Sequence, residues 1–408
     1  MRISLLSTYF ENVGDDLIRA GVQQQLCSAL NCKPTWRHIS KSNWLSLFSP
    51  LSRFSHAPSV RMNTTARSMA ACFGNHFSES KAIKFLDKAI NTDLFVIAGT
   101  PLFYFVGADN FLNAEKSCGS NWPETIFTKR LEPAGAPPFI ALGVGSIYEG
   151  SPTDLLKSHP NAAIFLKRFL RKARLVSTRD DRTYDLLRLA CPEREEILLK
   201  SVCPSLWAEH ASGAKSLDRK VLIGYSTESA NWDLSKPKEE VLEKRRLAFD
   251  WVLQYFHKRG FEIVIAAHNA HDSNLQADLR LGNRAQLITL NSAKDLTKAA
   301  NEASITVTWR IHGAMAALTA GRPTVLFRTD SRWRMAANLG AAVVDDRCLT
   351  KEDLEAVLSQ ACNRAAFTRP WGMERLNIIK GLEFTKVCSL LTSALTPDNL
   401  PIPALAVA

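Results

Sequence analysis

Short apolar segments alternate with longer helical patterns along most of this chain, and that alternation restricts its fold more than any other feature. The predicted strands are Ile3–Ser7, Leu94–Ala98, Phe139–Val144, Arg174–Thr178, Val221–Tyr225, Phe261–Ala267, Ser304–Thr308, Thr324–Phe327 and Ala341–Val344. The predicted helices are Asp15–Leu30, Lys81–Ile90, Ala162–Lys172, Asp181–Leu189, Glu239–Arg259, Ala293–Glu302 and Lys351–Ala361. Such alternation builds mostly parallel sheets with helices on both faces, so we predict an α/β fold.

The length of 408 residues indicates more than one domain, because a single hydrophobic core seldom grows that large. The stretch Ala208–Leu217 has no clear periodicity. We therefore predict two Rossmann-like doubly wound domains facing a cleft, residues 1–210 and 211–408. A helical pattern around Glu374–Leu395 is expected to pack back across their interface, and Ser40–Ser80 is a long insertion near the mouth of the cleft.

Cysteine usage and hydropathy favour a cytoplasmic protein. No apolar run reaches the ~18 residues that a membrane span requires, and the apolar start of the chain is too short for a signal peptide. The nine cysteines are scattered and form no C-x-x-C pair, which favours reduced thiols over disulfides or structural metal.

The net charge of +11 is unevenly distributed, with nine Lys or Arg against two acids between Lys33 and Lys88. A basic surface of this kind attracts anionic glycan, anionic lipid or nucleic acid, or is simply solvated. Aromatic residues are not interleaved with the basic ones in a stacking pattern, so we expect no nucleic-acid partner.

The segment from Ser304 to Phe327 carries the most specific polar pattern. Arg310 and His312 follow a predicted strand and precede a helix that starts near Gly313. If the strand reached His312, both side chains would lie on one face at the carboxyl edge of the sheet. A helix N-terminus there favours a phosphate or carboxylate. The alternative is that Arg310 pairs with a local carboxylate and His312 only caps the helix.

Two other strand ends carry polar residues. Asn12, Gly14 and Asp15 follow the first strand, where Asp15 either contacts a ligand or only caps the helix. Arg179 follows the strand Arg174–Thr178 and is expected to project into the cleft.

A pair of histidines, His268 and His271, follows the strand Phe261–Ala267. Without a further fixed ligand we interpret them as polar loop residues and predict no metal site.

Taken together, these segments resemble the polysaccharide pyruvyl transferase family. Asn12-Val-Gly14-Asp15 resembles its N-terminal Asn-x-Gly-Asp signature, and Ser177-Thr-Arg179-Asp180 is similar to its Ser-x-Arg-Asp strand end. Arg310-Ile-His312-Gly313 matches its Arg-Leu-His-Gly segment. The chain departs from the family at Ala98-Gly99-Thr100, where a glycine run is usual, and at Cys203-Pro204, where Asp-Pro is usual.

The resemblance implies a glycosyltransferase-B-like pair of domains, phosphoenolpyruvate as co-substrate and no metal or redox cofactor. It implies catalytic roles for His312 and Asp15, and substrate binding by Arg310, Arg179, Asn12, Gly14 and Gly313. The acceptor would be a glycan or a lipid-linked saccharide at the inner face of the membrane, where the basic insertion could receive it.

Two other functions stay open at this point. A nucleotide-sugar glycosyltransferase would use Arg310 and the helix start at Gly313 to hold a diphosphate. A non-catalytic protein would bind an anionic polymer through the Lys33–Lys88 segment, and its binding would survive loss of Arg310 or His312.

Overall fold

The computed structural model describes residues 1–7, 13–40, 92–99, 101–104, 127, 131–148, 150–208, 219–226, 238–268, 285–329, 332–345, 349–365 and 373–395. The chain divides into two compact units. The first unit comprises Met1–Phe10, Leu26–Ser201 and Val387–Ala408, and the second comprises Glu11–Gln25 and Val202–Lys386. The predicted boundary at residues 210 and 211 lies outside the described residues.

The first unit is built on a parallel sheet with the strand order β2-β1-β3-β5-β6-β7, and β4 pairs with β5 beside this path. Its strands are β1 (Arg2–Ser7), β2 (Thr35–Ser40), β3 (Leu94–Ala98), β4 (Pro101–Tyr104), β5 (Phe139–Ile147), β6 (Leu175–Thr178) and β7 (Leu198–Lys200). Its helices are the second part of α1 (Val13–Leu30), then α2 (Pro152–Ser158), α3 (Pro160–Lys172) and α4 (Asp181–Ala190). Strands buried on both faces explain why β3 and β5 are almost continuously apolar.

Phenylalanine rings dominate one core of the first unit. Phe169 contacts Phe103, Phe127 and Phe139, with ring centroids 5.2–5.7 Å apart. Large rings in edge and tilted contacts bury much apolar area at low entropic cost. They fix α3 against the sheet.

The second unit is a six-stranded parallel sheet with the order β10-β9-β8-β11-β12-β13. Its strands are β8 (Lys220–Gly224), β9 (Glu262–Ala267), β10 (Gln286–Thr289), β11 (Ile305–Thr308), β12 (Thr324–Phe327) and β13 (Ala342–Val344). In chain order this is the 3-2-1-4-5-6 arrangement of dinucleotide-binding folds, whose ligand site lies where the order reverses. That point is between β8 and β11.

Helices cover both faces of the second sheet. They are α5 (Lys238–Lys258), α6 (Ala293–Glu302), α7 (Ile311–Thr319), α8 (Trp333–Asn338), α9 (Lys351–Ala365), and the part of α10 (Met373–Ala394) that ends at Lys386. One apolar cluster joins the sheet to α5 and α9. The other joins it to α6, α7 and the start of α1, where Val13 and Leu17 pack with Ala316 and Ala317.

The α/β fold and all the predicted strands are confirmed, with ends shifted by up to a few residues. Sequence patterns missed β2, β4, β7, β10, α2 and α8. Each of these is short, and β10 is largely solvent-exposed, so it lacks the apolar run that marks a buried strand. The predicted helix Lys81–Ile90 and nearly all of the Ser40–Ser80 insertion lie outside the described residues.

Among the residues that the structure describes, no helix combines the length and the apolar character needed to cross a bilayer.

Candidate functional site

The end of β11 is anchored by an aromatic residue. Trp309 is buried and stacks on Phe327, with centroids 3.8 Å apart and planes within 4°, and its edge meets Tyr225. Aromatic contacts of this type are worth about 1 kcal/mol beyond area burial. The stack therefore fixes where the chain leaves the sheet, immediately before Arg310.

Arg310 is the N-cap of α7, and His312 is the second residue of that helix. The Arg310 backbone N–H donates to Thr308 Oγ1 at 2.9 Å, and Thr308 Oγ1 donates to the Gly224 carbonyl at 3.1 Å. Since β11 ends at Thr308, the strand does not reach His312, and the premise that alternation along one strand puts both side chains on one face is wrong. The two residues are instead brought close by the first turn of a helix.

Gly14 lies directly against His312. A Cβ atom added to Gly14 would stand 1.8 Å from His312 Nδ1, a distance that no real contact allows. Both residues belong to the second unit. The absent side chain at Gly14 therefore makes room for the imidazole, and two segments separated by almost 300 positions in the printed sequence meet at this point.

Helix α1 begins at Val13, two residues earlier than predicted. Asp15 consequently lies inside the first turn and is buried, so its interpretation as the N-cap is wrong. The cause is burial of Val13 in the apolar cluster of the second unit, which draws the helix start forward. Asn12 lies outside the described residues.

The burial of His268 was not predicted from the sequence. It follows β9 and is buried. A Cβ atom added to Gly224 would stand 3.4 Å from His268 Nε2, and one added to Gly313 would stand 3.5 Å from His268 Cε1. His268 is thus a polar residue of the loop that follows β9, as predicted, but it is buried. Its position just after a buried strand was the available signal, because ligands collect at the carboxyl ends of parallel strands.

Burial, and secondly the positive charge of Arg310, lower the pKa of His268 to about 3. Desolvation disfavours the charged imidazolium, and a neighbouring cation adds to that effect. His268 is therefore neutral at the pH of a cell. It is a polar group beside Arg310 that carries no charge of its own.

In the first unit, a bulge in β5 shapes the surroundings of Arg179. The register of β5 against β6 shifts between Ala141 and Val144. Within the bulge Gly143 has φ +66° and donates its N–H to Ser177 Oγ at 2.7 Å. Glycine adopts this left-handed conformation without strain, which is why a bulge can form here.

The guanidinium of Arg179 packs on Gly145, the first glycine beyond that bulge. A Cβ atom at Gly145 would lie 2.7 Å from Arg179 Nε and 3.1 Å from Nη2. The Arg179 side chain is 2% exposed, and its three guanidinium nitrogens have no hydrogen-bond partner within the part of the chain that the structure describes. The neighbouring Asp180 carboxyl interacts with this charge, but the guanidinium donors stay without a hydrogen bond among the described residues. A buried guanidinium with unsatisfied donors is costly and is seldom retained unless a ligand meets it.

Asp180 has a structural task next to Arg179. Its Oδ1 accepts the N–H of Thr183 at 2.8 Å and so caps α4. Burial raises the pKa of the Asp180 carboxyl in spite of this bond. Capping fixes the backbone direction at Arg179, where β6 passes into α4.

The structure thus brings Gly14, Asp15, Arg310, His312 and Gly313 into the second unit, and places Arg179 in the first.

Comparison with known families gives a match to "Polysaccharide pyruvyl transferase" over residues 12–331, which is most of the chain. Comparison with curated protein sequences gives no match.

Solved structures show the same fold at low sequence identity. UDP-GlcNAc 2-epimerase from Methanocaldococcus jannaschii, in complex with UDP-GlcNAc and UDP, is similar with a TM-score of 0.52 and 10% identity, over 94% of this chain and 99% of that one. A protein assigned as a UDP-N-acetylglucosamine 2-epimerase from Listeria monocytogenes has a TM-score of 0.50 and 12% identity, over 94% and 96%. These likenesses confirm the predicted fold class of two parallel-sheet α/β domains of glycosyltransferase-B type.

Proposed function

Because the chain belongs to the polysaccharide pyruvyl transferase family, we propose that it moves a pyruvyl group from phosphoenolpyruvate to sugar hydroxyls. The acceptor would be a glycan or a lipid-linked saccharide that serves as precursor of a cell-surface polysaccharide or exopolysaccharide.

The observation that carries the proposal is the buried, unpartnered guanidinium of Arg179. Guanidinium groups bind carboxylate and phosphate oxygens through two parallel N–H bonds. Phosphoenolpyruvate carries both kinds of oxyanion, so its binding would compensate the charge that folding leaves buried. We assign Arg179 to the donor.

Arg310 is the second donor-binding residue in this proposal. It caps a nine-residue helix at the point where the strand order reverses. Exposed N–H groups at a helix start favour an anion, and we include Gly313 because it belongs to that first turn. Gly14 and Asn12 complete the binding residues, with Asn12 next to the start of α1.

The proposed reaction balances without an oxidant or a metal ion. A proton is added to the methylene carbon of phosphoenolpyruvate, and the adjacent carbon becomes oxocarbenium-like. One sugar hydroxyl forms a C–O bond to that carbon and loses its proton. A second hydroxyl forms the other C–O bond as the bond to phosphate breaks, and its proton leaves with the phosphate.

His312 is the general acid and base of this sequence, because an imidazole both donates and accepts a proton near neutral pH. It supplies the proton to the methylene carbon and accepts one from the attacking hydroxyl. Asp15, which follows the glycine against which His312 packs, would orient that hydroxyl. We expect no metal or redox cofactor.

The acceptor's place is also a proposal. We expect a cytoplasmic enzyme that meets its acceptor at the inner face of the membrane. The basic residues of the insertion would attract an anionic glycan or a lipid-linked sugar.

A nucleotide-sugar glycosyltransferase is the second candidate, favoured by the dinucleotide-type strand order of the second unit. Phosphorus NMR separates the two. Protein incubated with phosphoenolpyruvate and a panel of glycans should release inorganic phosphate only when an acceptor is present. Release of nucleoside diphosphate from a sugar nucleotide, with phosphoenolpyruvate untouched, would support the alternative and overturn the proposal.

A further inference from the structure

Two glycines in the second unit face the same pair of side chains. A Cβ atom on Gly224 would stand 2.5 Å from Thr308 Oγ1 and 3.4 Å from His268 Nε2. One on Gly313 would stand 3.0 Å from Thr308 Oγ1 and 3.5 Å from His268 Cε1. Thr308 and His268 therefore lie side by side between the end of β8 and the first turn of α7.

Thr308 explains only part of this arrangement. Its hydroxyl joins the Gly224 carbonyl to the Arg310 backbone N–H, which ties the helix start to the sheet. His268 lies beside Thr308 and comes from the end of a different strand, since it directly follows β9. The first turn of α7 is thus held against three strand ends, those of β8, β9 and β11.

The chemical nature of the side chain at position 268 matters because Arg310 is close enough to act on it electrostatically. A carboxylate in this place would attract the guanidinium and compete with an anionic ligand. A lysine or arginine would repel it. A neutral imidazole supports the helix start and adds no charge beside Arg310.

We propose that His268 is a positioning residue of the anion site in the second unit. It packs against the first turn of α7 and leaves the charge beside Arg310 positive. The inference rests on the proposed function, in which Arg310 binds an oxyanion of the donor.

Three replacements separate charge from shape at this position. His268→Asn and His268→Asp are matched in size and differ in charge, and Arg310→Ala removes the charge on which the difference depends. Val264→Ala, a buried change on the same strand, controls for a loss of packing alone. Binding of phosphoenolpyruvate and of inorganic phosphate is measured by titration calorimetry on the full chain.

We expect His268→Asn to bind phosphoenolpyruvate within about threefold of wild type, and His268→Asp to bind at least about tenfold more weakly, as a carboxylate beside a cation implies. In an Arg310→Ala background the difference between Asn and Asp should largely vanish, because the two positions are coupled. Val264→Ala should lower thermal stability and leave the affinity unchanged.

A second measurement keeps the inference testable if His268→Asp does not fold. The imidazole ¹⁵N resonances of His268, assigned by their loss in His268→Asn, should shift when phosphate is added to wild type and stay unchanged in Arg310→Ala. A histidine that only fills the core would not respond to phosphate.

Equal affinities for Asn and Asp, or imidazole resonances that do not respond to phosphate, overturn the role of His268 alone if Arg310→Ala still weakens binding. A wild-type protein that binds neither phosphoenolpyruvate nor phosphate overturns the proposed function, and the inference falls with it.

Discussion

The two arginines assigned to the donor are held in different ways. In the first unit, Arg179 is buried at a strand end, flat against Gly145, with its three nitrogens unpartnered among the described residues. In the second unit, Arg310 is partly exposed and is positioned through its backbone, as the cap of α7. The guanidinium of Arg179 is thus buried without hydrogen bonds among the described residues, whereas the backbone of Arg310 is fixed by a hydrogen bond to Thr308.

This contrast shows that one chain can position a guanidinium group in two ways, by burying it or by fixing the backbone that carries it. Burial gives a stronger field, because charges interact more strongly where water is excluded. Backbone capping gives direction at little cost. Each of the following substitutions should affect either the buried Arg179 or the backbone-positioned Arg310 more strongly than the other.

The largest effect is expected for Arg179→Met, which keeps the side-chain volume and removes the charge. Loss of charge-assisted hydrogen bonds to an oxyanion should reduce kcat/KM for phosphoenolpyruvate at least about 100-fold. The same change should raise the free energy of unfolding by about 1 kcal/mol, since it removes a buried guanidinium without hydrogen bonds among the described residues, and this gain outweighs the lost attraction to Asp180. Steady-state kinetics and urea denaturation measure the two.

Arg310→Met is the matched comparison. It should also lower kcat/KM, yet without any gain in stability, because residue 310 is partly exposed to solvent. A loss of stability in Arg179→Met would show that the Arg179 guanidinium has a protein partner and would remove the distinction between the two units.

The next largest loss of activity is expected when the glycines that pack against His312 and Arg179 are replaced by alanine. Gly14→Ala puts a Cβ atom on His312, and Gly145→Ala puts one on Arg179. A displacement of about 1 Å in a catalytic group costs roughly 100-fold in rate, so Gly14→Ala should lower kcat strongly. Gly145→Ala should act mainly on the affinity for phosphoenolpyruvate.

Gly381→Ala is the control, because nothing lies within 4 Å of a Cβ atom at that helical position. It should leave the kinetics unchanged and stabilise α10 by about 0.5–1 kcal/mol. Normal kcat in Gly14→Ala would show that His312 is not held by this contact.

Much of the fold could be predicted from sequence, and the site only in part. Buried strands such as β3, β9 and β12 carry continuous apolar runs, which dominate any pattern. Sequence motifs also identified Arg310 and His312. Their geometry was not predictable, since the end of β11 depends on a hydroxyl of Thr308 and on the stacking of Trp309 against a residue from another strand.

His268 illustrates a different limit. A histidine after a strand has no pattern of its own, and the residues that surround it, Gly224 and Gly313, lie far away in sequence. Contacts of this kind arise from the sheet order and are not encoded in local periodicity.

A smaller effect is expected from the titration of His268, and it concerns the second unit only. An unfolded histidine takes up a proton below its ordinary pKa of 6.5, whereas folded His268 does not until about pH 3. Acid therefore favours the unfolded chain, and stability is fully present above pH 6.5. Between pH 6.5 and pH 5 the contribution of His268 should fall by about 2 kcal/mol.

Urea denaturation at both pH values, in wild type and in His268→Asn, isolates this contribution from those of other groups. The loss of stability on acidification should be smaller in the variant. An identical pH dependence would mean that His268 is not buried as described.

The smallest effect should follow the removal of the Thr308 hydroxyl. Thr308→Val keeps the shape and breaks the bonds to the Arg310 N–H and the Gly224 carbonyl, at a cost of about 1–2 kcal/mol in unfolding free energy. Thr308→Ser keeps the hydroxyl and should retain the affinity for inorganic phosphate. If Val and Ser variants bind phosphate equally, the cap geometry of Arg310 does not govern anion binding.

Titration calorimetry of phosphoenolpyruvate into wild type, Arg179→Met and Arg310→Met tests the central claim most directly. We predict saturable binding to the wild-type chain and at least about tenfold weaker binding to each variant, as the loss of one charge-assisted contact implies. Unchanged affinity in both variants would contradict the assignment of these two arginines to an anionic donor.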